Sequence, residues 1–224
     1  MIKTREGWAI LENDTHIGLW VQQNKRLDFD QNSLPVVLPY IKAGDTVVDI
    51  GANIGAYSYA FLNKVGKAGE VLSFEPYKPS FECLEYNLGG YENVHIENIA
   101  IGESNGFCIP VCENDNIGMS FIKTSEVKND NTVAVVPLDD YKLKKCDFIK
   151  IDVEGYEVNV LNGAKNTILR HKPILMIEVN DFALERAGTN RDELFGFLRK
   201  YGYNFKNIYK EQHMNDTQLD IICF

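Results

Sequence analysis

From residue 45 onward, short apolar runs alternate with amphipathic stretches in a regular order. A β-branched run at residues 46–50 precedes a helical pattern at 57–65. The same succession then repeats at 70–75 and 80–88. Strands that alternate with helices predict an α/β fold, in which helices cover both faces of a mostly parallel sheet.

The pattern continues to the end of the chain. It predicts strands at 94–101, 147–152 and 174–179, helices at 157–170 and 191–201, and closing strands at 205–209 and 219–224. Residues 102–140 interrupt the alternation, with extended segments at 106–111 and 132–136 around a polar loop at 113–131. A long loop of this kind is either a disordered excursion or part of a binding site.

The first 43 residues do not follow this alternation. Segments 8–11 and 17–21 flank turn-forming residues and predict a β-hairpin. Residues 33–43 predict a helix that Pro39 makes less regular. A chain of 224 residues suits one domain, so we expect an N-terminal elaboration (1–43) on a core (44–224) with an insertion at about 103–140.

Charge and composition exclude several classes of protein. Lys and Arg number 23 against 32 Asp and Glu, a net charge of −9 that disfavours a nucleic-acid partner. No apolar stretch is long enough for a membrane span, and the polar start is unlike a signal peptide. We therefore expect a cytoplasmic protein without a membrane partner, monomeric or weakly self-associating. The five cysteines contain no Cys-x-x-Cys pair, which favours reduced thiols over a zinc site.

A glycine-containing turn follows the first core strand. It reads Asp49-Ile50-Gly51-Ala52-Asn53-Ile54-Gly55 and leads directly into a predicted helix. Such a turn lets the backbone approach a ligand closely. A dinucleotide-binding turn would carry a second glycine where this chain has Asn53, which weakens that interpretation. Glu75 ends the next strand, at the spacing from the turn where an acidic residue binds ribose hydroxyls. Together they predict a nucleoside-binding site.

At this point the sequence resembles the FkbM-type methyltransferases. The matching blocks, in the family's order, are residues 47–55, Phe74-Glu75-Pro76, residues 98–102, residues 138–141 and residues 149–157. The resemblance implies a class I methyltransferase fold: a Rossmann-like three-layer sandwich with a seven-stranded sheet whose last strand is antiparallel. It also implies S-adenosylmethionine (SAM) as cofactor, S-adenosylhomocysteine (SAH) as product, and O-methyl transfer to a sugar, glycan or glycosylated small molecule.

The resemblance also assigns cofactor-binding residues. Asp49, Gly51, Asn53 and Gly55 would surround the methionine part, Glu75 with Pro76 would hold the ribose side, and Ile99 with Ala100 would line the adenine. We expect residues 116–121 near the cofactor as well. The chain could also be one domain of a larger glycan-processing protein.

Acidic residues end two later strands. Asp152 and Glu154 lie two positions apart, so that they point to the same side of an extended backbone. Asp152 is expected to bind the cofactor, since the two carboxylates could steady its sulfonium and amino groups, and either could accept a proton or merely cap the next helix. Glu178 ends the following strand and completes the predicted catalytic set. Because no ligand spacing requires a metal, we expect none, and a divalent cation stays the less favoured option.

Two other functions remain open from the sequence. One is an NAD-dependent oxidoreductase or epimerase, although the chain has no Tyr-x-x-x-Lys motif. The other is a catalytically silent module that keeps the cofactor-binding fold.

Overall fold

The computed structural model describes residues 1–12, 14–112, 120–209 and 213–224. Its strands are β1 (Ile2–Lys3), β2 (Ala9–Ile10), β3 (Thr46–Ile50), β4 (Glu70–Phe74), β5 (Val94–Glu97), β6 (Ala100–Ile101), β7 (Gly106–Val111), β8 (Phe121–Ser125), β9 (Val133–Val136), β10 (Phe148–Ile151), β11 (Ile174–Asn180), β12 (Phe205–Asn207) and β13 (Gln218–Cys223). Its α-helices are α1 (Ile17–Asn24), α2 (Leu34–Val37), α3 (Ala56–Val65), α4 (Lys78–Leu88), α5 (Glu157–Gly163), α6 (Lys165–His171), α7 (Asp181–Arg186) and α8 (Arg191–Lys200). Short 3-10 turns lie at Leu38–Tyr40, Gly66–Ala68 and Leu138–Tyr141.

The main sheet has seven strands in the order β12-β13-β11-β10-β3-β4-β5. Only β13 runs antiparallel to its neighbours β11 and β12, and the other pairs are parallel. This confirms the α/β fold class and the antiparallel last strand. The carboxyl ends of β3, β4, β10 and β11 therefore meet at one edge, where ligands bind in open α/β sheets.

The central strands are buried on both faces, which explains their continuous apolar runs. Every residue of Thr46–Ile50 is buried. Its side chains alternate between two cores: Val48 packs with α5 and α8 on one face, and Val47 packs with α3 and α4 on the other. Residues of β2, α1 and α2 belong to this second core, so the N-terminal segment covers the same face as α3 and α4.

The predicted N-terminal hairpin is wrong in its second half. Residues 9–10 do form a strand, but it pairs with β1, and residues 17–21 lie in α1. The cause is the buried Asp14, whose two carboxylate oxygens accept hydrogen bonds from the backbone N–H groups of His16 (2.9 Å) and Gly18 (2.8 Å). An acidic side chain that binds backbone amides at this point stabilises a helix start and overrides the alternating pattern.

The predicted strand at 94–101 is two strands in two sheets. β5 belongs to the main sheet, whereas β6 joins a four-stranded sheet in the order β6-β9-β7-β8. Asn98 separates them, because its side-chain amide donates to the backbone oxygens of Glu75 (2.8 Å) and Pro76 (3.0 Å) and turns the chain. The region expected as a polar loop at 113–131 contains β8, and residues 113–119 lie outside the described part.

Two predicted helices are also shorter than expected. The pattern at 157–170 forms α5 and α6, which are separated at Ala164. Gly163 lies so close to Gly102 that an added Cβ would come within 1.8 Å of its carbonyl oxygen. In place of the predicted helix at 33–43, the chain forms α2 and a 3-10 turn that contains Pro39. Among the described helices, none has the length and apolarity needed to cross a membrane.

Candidate functional site

The turn between β3 and α3 forms the floor of the site. Gly51 has a φ of +81°, and a Cβ at this position would lie 1.9 Å from the carbonyl oxygen of Asp152. The backbone N–H groups of Gly51 and Ala52 both donate to the carbonyl oxygen of Phe74, each at 3.0 Å. Only glycine combines this left-handed conformation with such a close approach, so the turn explains the residue type.

Glu75 closes one side of this turn. Its carboxylate accepts hydrogen bonds from the backbone N–H groups of Asn53 (2.8 Å) and Tyr77 (2.8 Å). The side chain is only 3% exposed, and burial raises the pKa of the Glu75 carboxyl to about 7. A carboxylate that is fixed by two amides at the end of a strand is preorganised to accept hydrogen bonds from a diol.

A cavity of about 460 Å³, called the first cavity below, lies above the turn. Its walls come from many parts of the chain, from the N-terminal segment to the last strand. The lining residues are His16, Ile17, Phe29, Asp30, Gly51, Ala52, Asn53, Ala56, Tyr57, Glu75, Ser120, Lys150, Ile151, Asp152, Glu154, Met176, Glu178, Tyr209, Gln218 and Asp220. Six of these residues are acidic, so the first cavity favours ligands that carry positive charge or hydrogen-bond donors.

Lys150 lies at the base of the first cavity and is almost completely buried. Its Nζ atom is 3.4 Å from Asp49 Oδ1 and 3.3 Å from Asp152 Oδ2, and it donates to the carbonyl oxygen of Gly51 at 3.2 Å. Burial alone would lower the pKa of the Lys150 ammonium, but Asp152 and Asp49 together raise it above its ordinary value. Lys150 thus connects the glycine turn to the end of β10.

Four carboxyl groups, called the acidic cluster, converge beside Lys150: Asp152, Glu154, Glu178 and Asp220. One carboxylate oxygen from each of the first three lies within 4.8 Å of the others. Burial, together with the neighbouring negative charges, raises the pKa of Glu154 to about 8 and that of Asp220 to about 7. Burial, together with the negative charges of Asp152, Glu154 and Asp220, raises the pKa of Glu178 well above its ordinary value.

The backbone at Glu154 has an unusual conformation. Its φ is +53°, in the left-handed region that non-glycine residues rarely occupy. Arg186 donates to the carbonyl oxygen of Glu154 at 2.9 Å, and the buried Glu157 accepts from the backbone N–H groups of Val153 (3.2 Å) and Gly155 (3.1 Å). These contacts hold the segment after β10, so that Asp152 and Glu154 both face the first cavity.

The opposite wall is a hydrogen-bonded group from distant segments. Asp30, at a φ of +65°, accepts from the hydroxyl groups of Tyr57 (2.6 Å) and Tyr209 (3.1 Å). Ser33 makes a further hydrogen bond to the Tyr209 hydroxyl. Burial would raise the pKa of Asp30, but the hydrogen bonds from Ser33, Tyr57 and Tyr209 lower it overall. Asp30 is therefore ionised at neutral pH, with both tyrosine hydroxyls directed toward it.

A small apolar cavity adjoins the turn on the side of β4. Its walls come from the ends of three strands and from the insertion, and include Ile50, Phe74, Pro76, Ile99, Ala100, Ile101, Ile122, Val153 and Tyr156. Pro76, Ile99 and Ala100, which the sequence resemblance assigns to the ribose and the adenine, are among them, and this assignment stays a prediction.

The structure brings most of the predicted site residues together. Gly51, Asn53, Glu75, Asp152, Glu154 and Glu178 line the first cavity, and Pro76, Ile99 and Ala100 line the apolar one. Asp49 and Gly55 line neither. Asp49 is fully buried, accepts a hydrogen bond from Ser58 (2.6 Å) and contacts Lys150, while Gly55 packs against Leu84 and Leu88.

Sequence reasoning missed many lining residues, including Asp30, Tyr57, Lys150, Tyr209 and Asp220. One of them, Lys150, had a signal, because it lies two positions before Asp152 in the same strand and so points to the same side. The others come from segments that the fold brings together, and no local pattern marks them. Of the segment expected near the cofactor, Ser120 lines the first cavity, and residues 116–119 lie outside the described part.

Comparison with known proteins identifies the family. The model of the methyltransferase FkbM domain matches residues 49–205. This chain belongs to the FkbM methyltransferase family. A curated relative, the AMB antimetabolite synthetase AmbE of Pseudomonas aeruginosa, is 24% identical over 200 residues that cover 70% of this chain. The chain spans only 9% of the length of that relative.

Solved structures with the same fold are also methyltransferases. An FkbM methyltransferase from Methylobacillus flagellatus has a TM-score of 0.56 at 21% identity, covering 80% of this chain and 43% of its own. Fibrillarin from Aeropyrum pernix, which was solved with bound SAM, has a TM-score of 0.53 at 13% identity, with coverages of 86% and 75%. A SAM-dependent O-methyltransferase from Thermotoga maritima has a TM-score of 0.52 at 16% identity, with coverages of 91% and 68%.

The FkbM methyltransferase domain of this chain therefore takes SAM as its cofactor, which removes NAD as the alternative cofactor. The residues present fit SAM: Glu75 offers a fixed carboxylate for the ribose, and the apolar cavity beside it suits the adenine. The Gly51 turn and the acidic cluster border the space left for the methionine part, whose ammonium and sulfonium groups are positively charged. SAM carries no phosphate group, so its site does not need the second glycine of a dinucleotide-binding turn. Asn53 at that position agrees with this.

Proposed function

We propose that this FkbM-family protein transfers a methyl group to a hydroxyl oxygen of a sugar, glycan or glycosylated small molecule. The observation that carries the proposal is the acidic cluster at the ends of β10, β11 and β13. Its carboxylates line the same cavity as Glu75 and the glycine turn, which places proton acceptors next to the cofactor site.

The residues of this chain divide the work of the reaction. Bound SAM supplies an electrophilic methyl group, and the protein supplies orientation and a proton acceptor. Glu75 holds the ribose, and the Gly51 turn supports the methionine part. Because methyl transfer needs oxygen, methyl and sulfur in line, correct positioning can contribute several kcal/mol to the rate.

A carboxylate of the acidic cluster takes the proton from the acceptor hydroxyl. A hydroxyl group is a poor nucleophile until its proton is removed, and a base works best when its pKa is close to the working pH. The pKa of Glu154, raised to about 8 by burial and by Asp152 and Glu157, meets this condition. Asp152, which is paired with Lys150, lies beside the space for the positively charged cofactor.

A sugar acceptor agrees with the hydrogen-bonding character of the first cavity. Its wall offers many carboxylate oxygens, and the hydroxyl hydrogens of Tyr57 and Tyr209 are already donated to Asp30. A ligand with several hydroxyl donors can satisfy such a surface. The structural likeness to the O-methyltransferase of T. maritima supports the fold of such an enzyme, while the acceptor itself is our proposal.

The experiment is an acceptor screen with mass detection. Purified protein, SAM and a panel of deoxyhexoses, glycosides and glycosylated small molecules should yield a product heavier by about 14 daltons, since a methyl group replaces a hydrogen. Asp152→Asn should reduce turnover more than SAH affinity, which calorimetry measures. Asp130→Asn, a change at an exposed aspartate outside both cavities, is the matched control.

Three results would contradict the proposal. Methylation of nitrogen or sulfur acceptors only would exclude O-methyl transfer. Equal turnover of Asp152→Asn, Glu154→Gln and Asp130→Asn would remove the acidic cluster from the reaction. Loss of activity with EDTA, restored by Mg²⁺, would replace the metal-free mechanism with one in which Asp152, Glu154 and Glu178 hold a cation.

A further inference from the structure

A second cavity, of about 260 Å³, adjoins the reaction site on the side of the insertion. It lies between β8, the segment after β10 and α7. The residues that line it are Phe121, Ile122, Lys123, Thr124, Val153, Glu154, Tyr156, Arg186 and Ala187. Glu154 also lines the first cavity, so the two cavities meet at a carboxylate of the acidic cluster.

The second cavity has the opposite charge to the first. The Arg186 guanidinium lies 3.8 Å from the centre of the Phe121 ring, and Lys123 Nζ lies 5.6 Å from the same centre. Two cationic groups therefore converge on one aromatic ring. The ion pairs found among the described residues include neither of them. In a chain of net charge −9, two cations at one aromatic ring, beside the carboxyl of Glu154, give this cavity a locally positive lining.

The donor groups of this cavity suit an anion with several oxygens. Arg186 uses one N–H on the carbonyl oxygen of Glu154, and a guanidinium has five N–H donors in total. Stacking on Phe121 fixes the plane of the guanidinium, which matches the geometry of phosphate oxygens. Lys123 adds a point charge, and the hydroxyl groups of Thr124 and Tyr156 add neutral donors.

We propose that the second cavity binds a phosphoryl group of the acceptor while the hydroxyl to be methylated lies at Glu154 in the first cavity. This inference rests on the proposed function, because it names the class of hydroxylated acceptor: one that carries a phosphate ester. Both charge patterns are then used by a single molecule. Its hydroxyl end meets carboxylates that accept hydrogen bonds, and its anionic end meets Lys123 and Arg186.

The first test measures anion binding without turnover. The probes are inorganic phosphate, methyl phosphate for a monoester, and dimethyl phosphate for a diester, added to SAH-loaded protein and followed by amide and Arg Nε–H chemical shifts in NMR. We expect saturable shifts at Thr124 and Arg186 with a Kd in the millimolar range, and an affinity that falls with added salt. The stronger of the two esters identifies the source of the phosphoryl group.

Variants connect this binding to the two cations. Lys123→Gln removes a charge without touching Glu154, and Arg186→Gln keeps a donor for the Glu154 carbonyl. We expect each to weaken phosphate binding by about tenfold, the effect of one charge-assisted contact. The control is Lys144→Gln with Arg170→Gln, which also removes two exposed positive charges but lines neither cavity. Equal weakening in this control would overturn the proposal.

The second test uses turnover and separates the two proposals. Each hydroxylated acceptor is assayed with its phosphate ester, and we expect kcat/KM to favour the ester by about tenfold or more in the native protein. In the Lys123→Gln, Arg186→Gln double variant this preference should fall to near unity. Methylation of neutral acceptors without phosphate binding would overturn the inference and leave the proposed function standing. Phosphate binding at Arg186 without methylation of any hydroxyl would overturn the proposed function and leave the phosphate-binding cavity standing.

Discussion

The two sides of the first cavity are built in different ways. On the cofactor side, Gly51, Asn53 and Glu75 follow the ends of two adjacent strands, β3 and β4, and backbone N–H groups set their geometry. On the side that we propose for the acceptor, Asp30 and Tyr209 come from distant segments and meet Tyr57 of α3, and hydrogen bonds between side chains set their geometry. We infer that the cofactor side tolerates few substitutions, whereas the acceptor side can change its specificity through single side chains.

The largest expected effect is at Lys150, which lies between the two sides. Lys150→Met would leave Asp49 fully buried without its cation, so we expect the free energy of unfolding to fall by about 3–5 kcal/mol. Urea denaturation measures this change. Lys145→Met is the control, since Lys145 is half-exposed and its pairs with Asp45 and Asp147 contribute about 0–1 kcal/mol. Similar losses in both variants would show that Lys150 does not connect the two sides.

Gly51→Ala should damage the cofactor side selectively. The added Cβ would meet the Asp152 carbonyl at 1.9 Å, so the turn must move, and we expect turnover and SAH affinity to fall by about 100-fold. Gly44→Ala separates strain from this clash, because Gly44 has a similar φ of +85° and nothing within 4 Å of the added atom. Calorimetric titration with SAH checks both. An unchanged affinity in Gly51→Ala would contradict the close approach described here.

The pH dependence of stability should come from the buried acids around the site. Burial raises the pKa of Glu75, Glu157 and Asp220 to about 7, above an ordinary value near 4. Such groups favour the folded state fully below the unfolded pKa, and this stabilisation is lost as pH rises through about 7. We therefore expect the Tm of the cofactor-free protein to fall between pH 5 and pH 8, with each group contributing on the order of 2 kcal/mol.

Glu157→Gln tests how much of this pH dependence comes from Glu157. Glutamine keeps an oxygen for the N–H groups of Val153 and Gly155 but does not ionise. The fall of Tm with pH should become shallower in this variant, as calorimetry at several pH values would show. A parallel curve that is only displaced would mean that the pKa of Glu157 is the same in the folded and the unfolded chain, against the shift assigned to it.

The smallest effect is expected on the acceptor side. Tyr209→Phe removes the hydroxyl that donates a hydrogen bond to Asp30 at 3.1 Å. Such a hydrogen bond contributes about 0.5–1.5 kcal/mol to stability. SAH affinity should stay within about twofold, which is a change of about 0.4 kcal/mol in binding free energy. The KM of an acceptor should change by more than this. Tyr86→Phe, at an exposed tyrosine, is the control. If SAH affinity fell as far as in Gly51→Ala, the two sides would not be separable.

Local sequence predicted the main sheet well because its strands are short, apolar and separated by regular helices. It failed at residues 17–21, where the side chain of Asp14 stabilises a helix start in a β-branched segment. It also failed at 94–101, where Asn98 directs the chain into a second sheet by hydrogen bonds to a distant loop. In both cases one polar side chain overrides the periodicity of its neighbours.

The site residues divide in the same way, into those that the local sequence predicts and those that depend on distant segments packing together. Gly51, Glu75 and Asp152 lie at strand ends, so topology alone brings them together. Asp30, Tyr209 and Asp220 meet only after the N-terminal segment and the last two strands have packed, and no spacing along the chain predicts that meeting. The raised pKa values of the acidic cluster are likewise a property of burial and of neighbours from different strands.

Asn87, on the inner face of α4, links segments that the sequence pattern separates. Its side chain exchanges hydrogen bonds with the backbone of Ala9 (2.7 and 3.0 Å) and donates to the carbonyl oxygen of Ile54 (2.9 Å). The first strand pair is thereby fastened to the turn that precedes α3. A shortened protein that starts at residue 44 would leave this buried amide with two broken hydrogen bonds and uncover the apolar face beneath it. The N-terminal 43 residues are thus a structural part of the catalytic unit, and deletion or domain-swapping designs should carry them along.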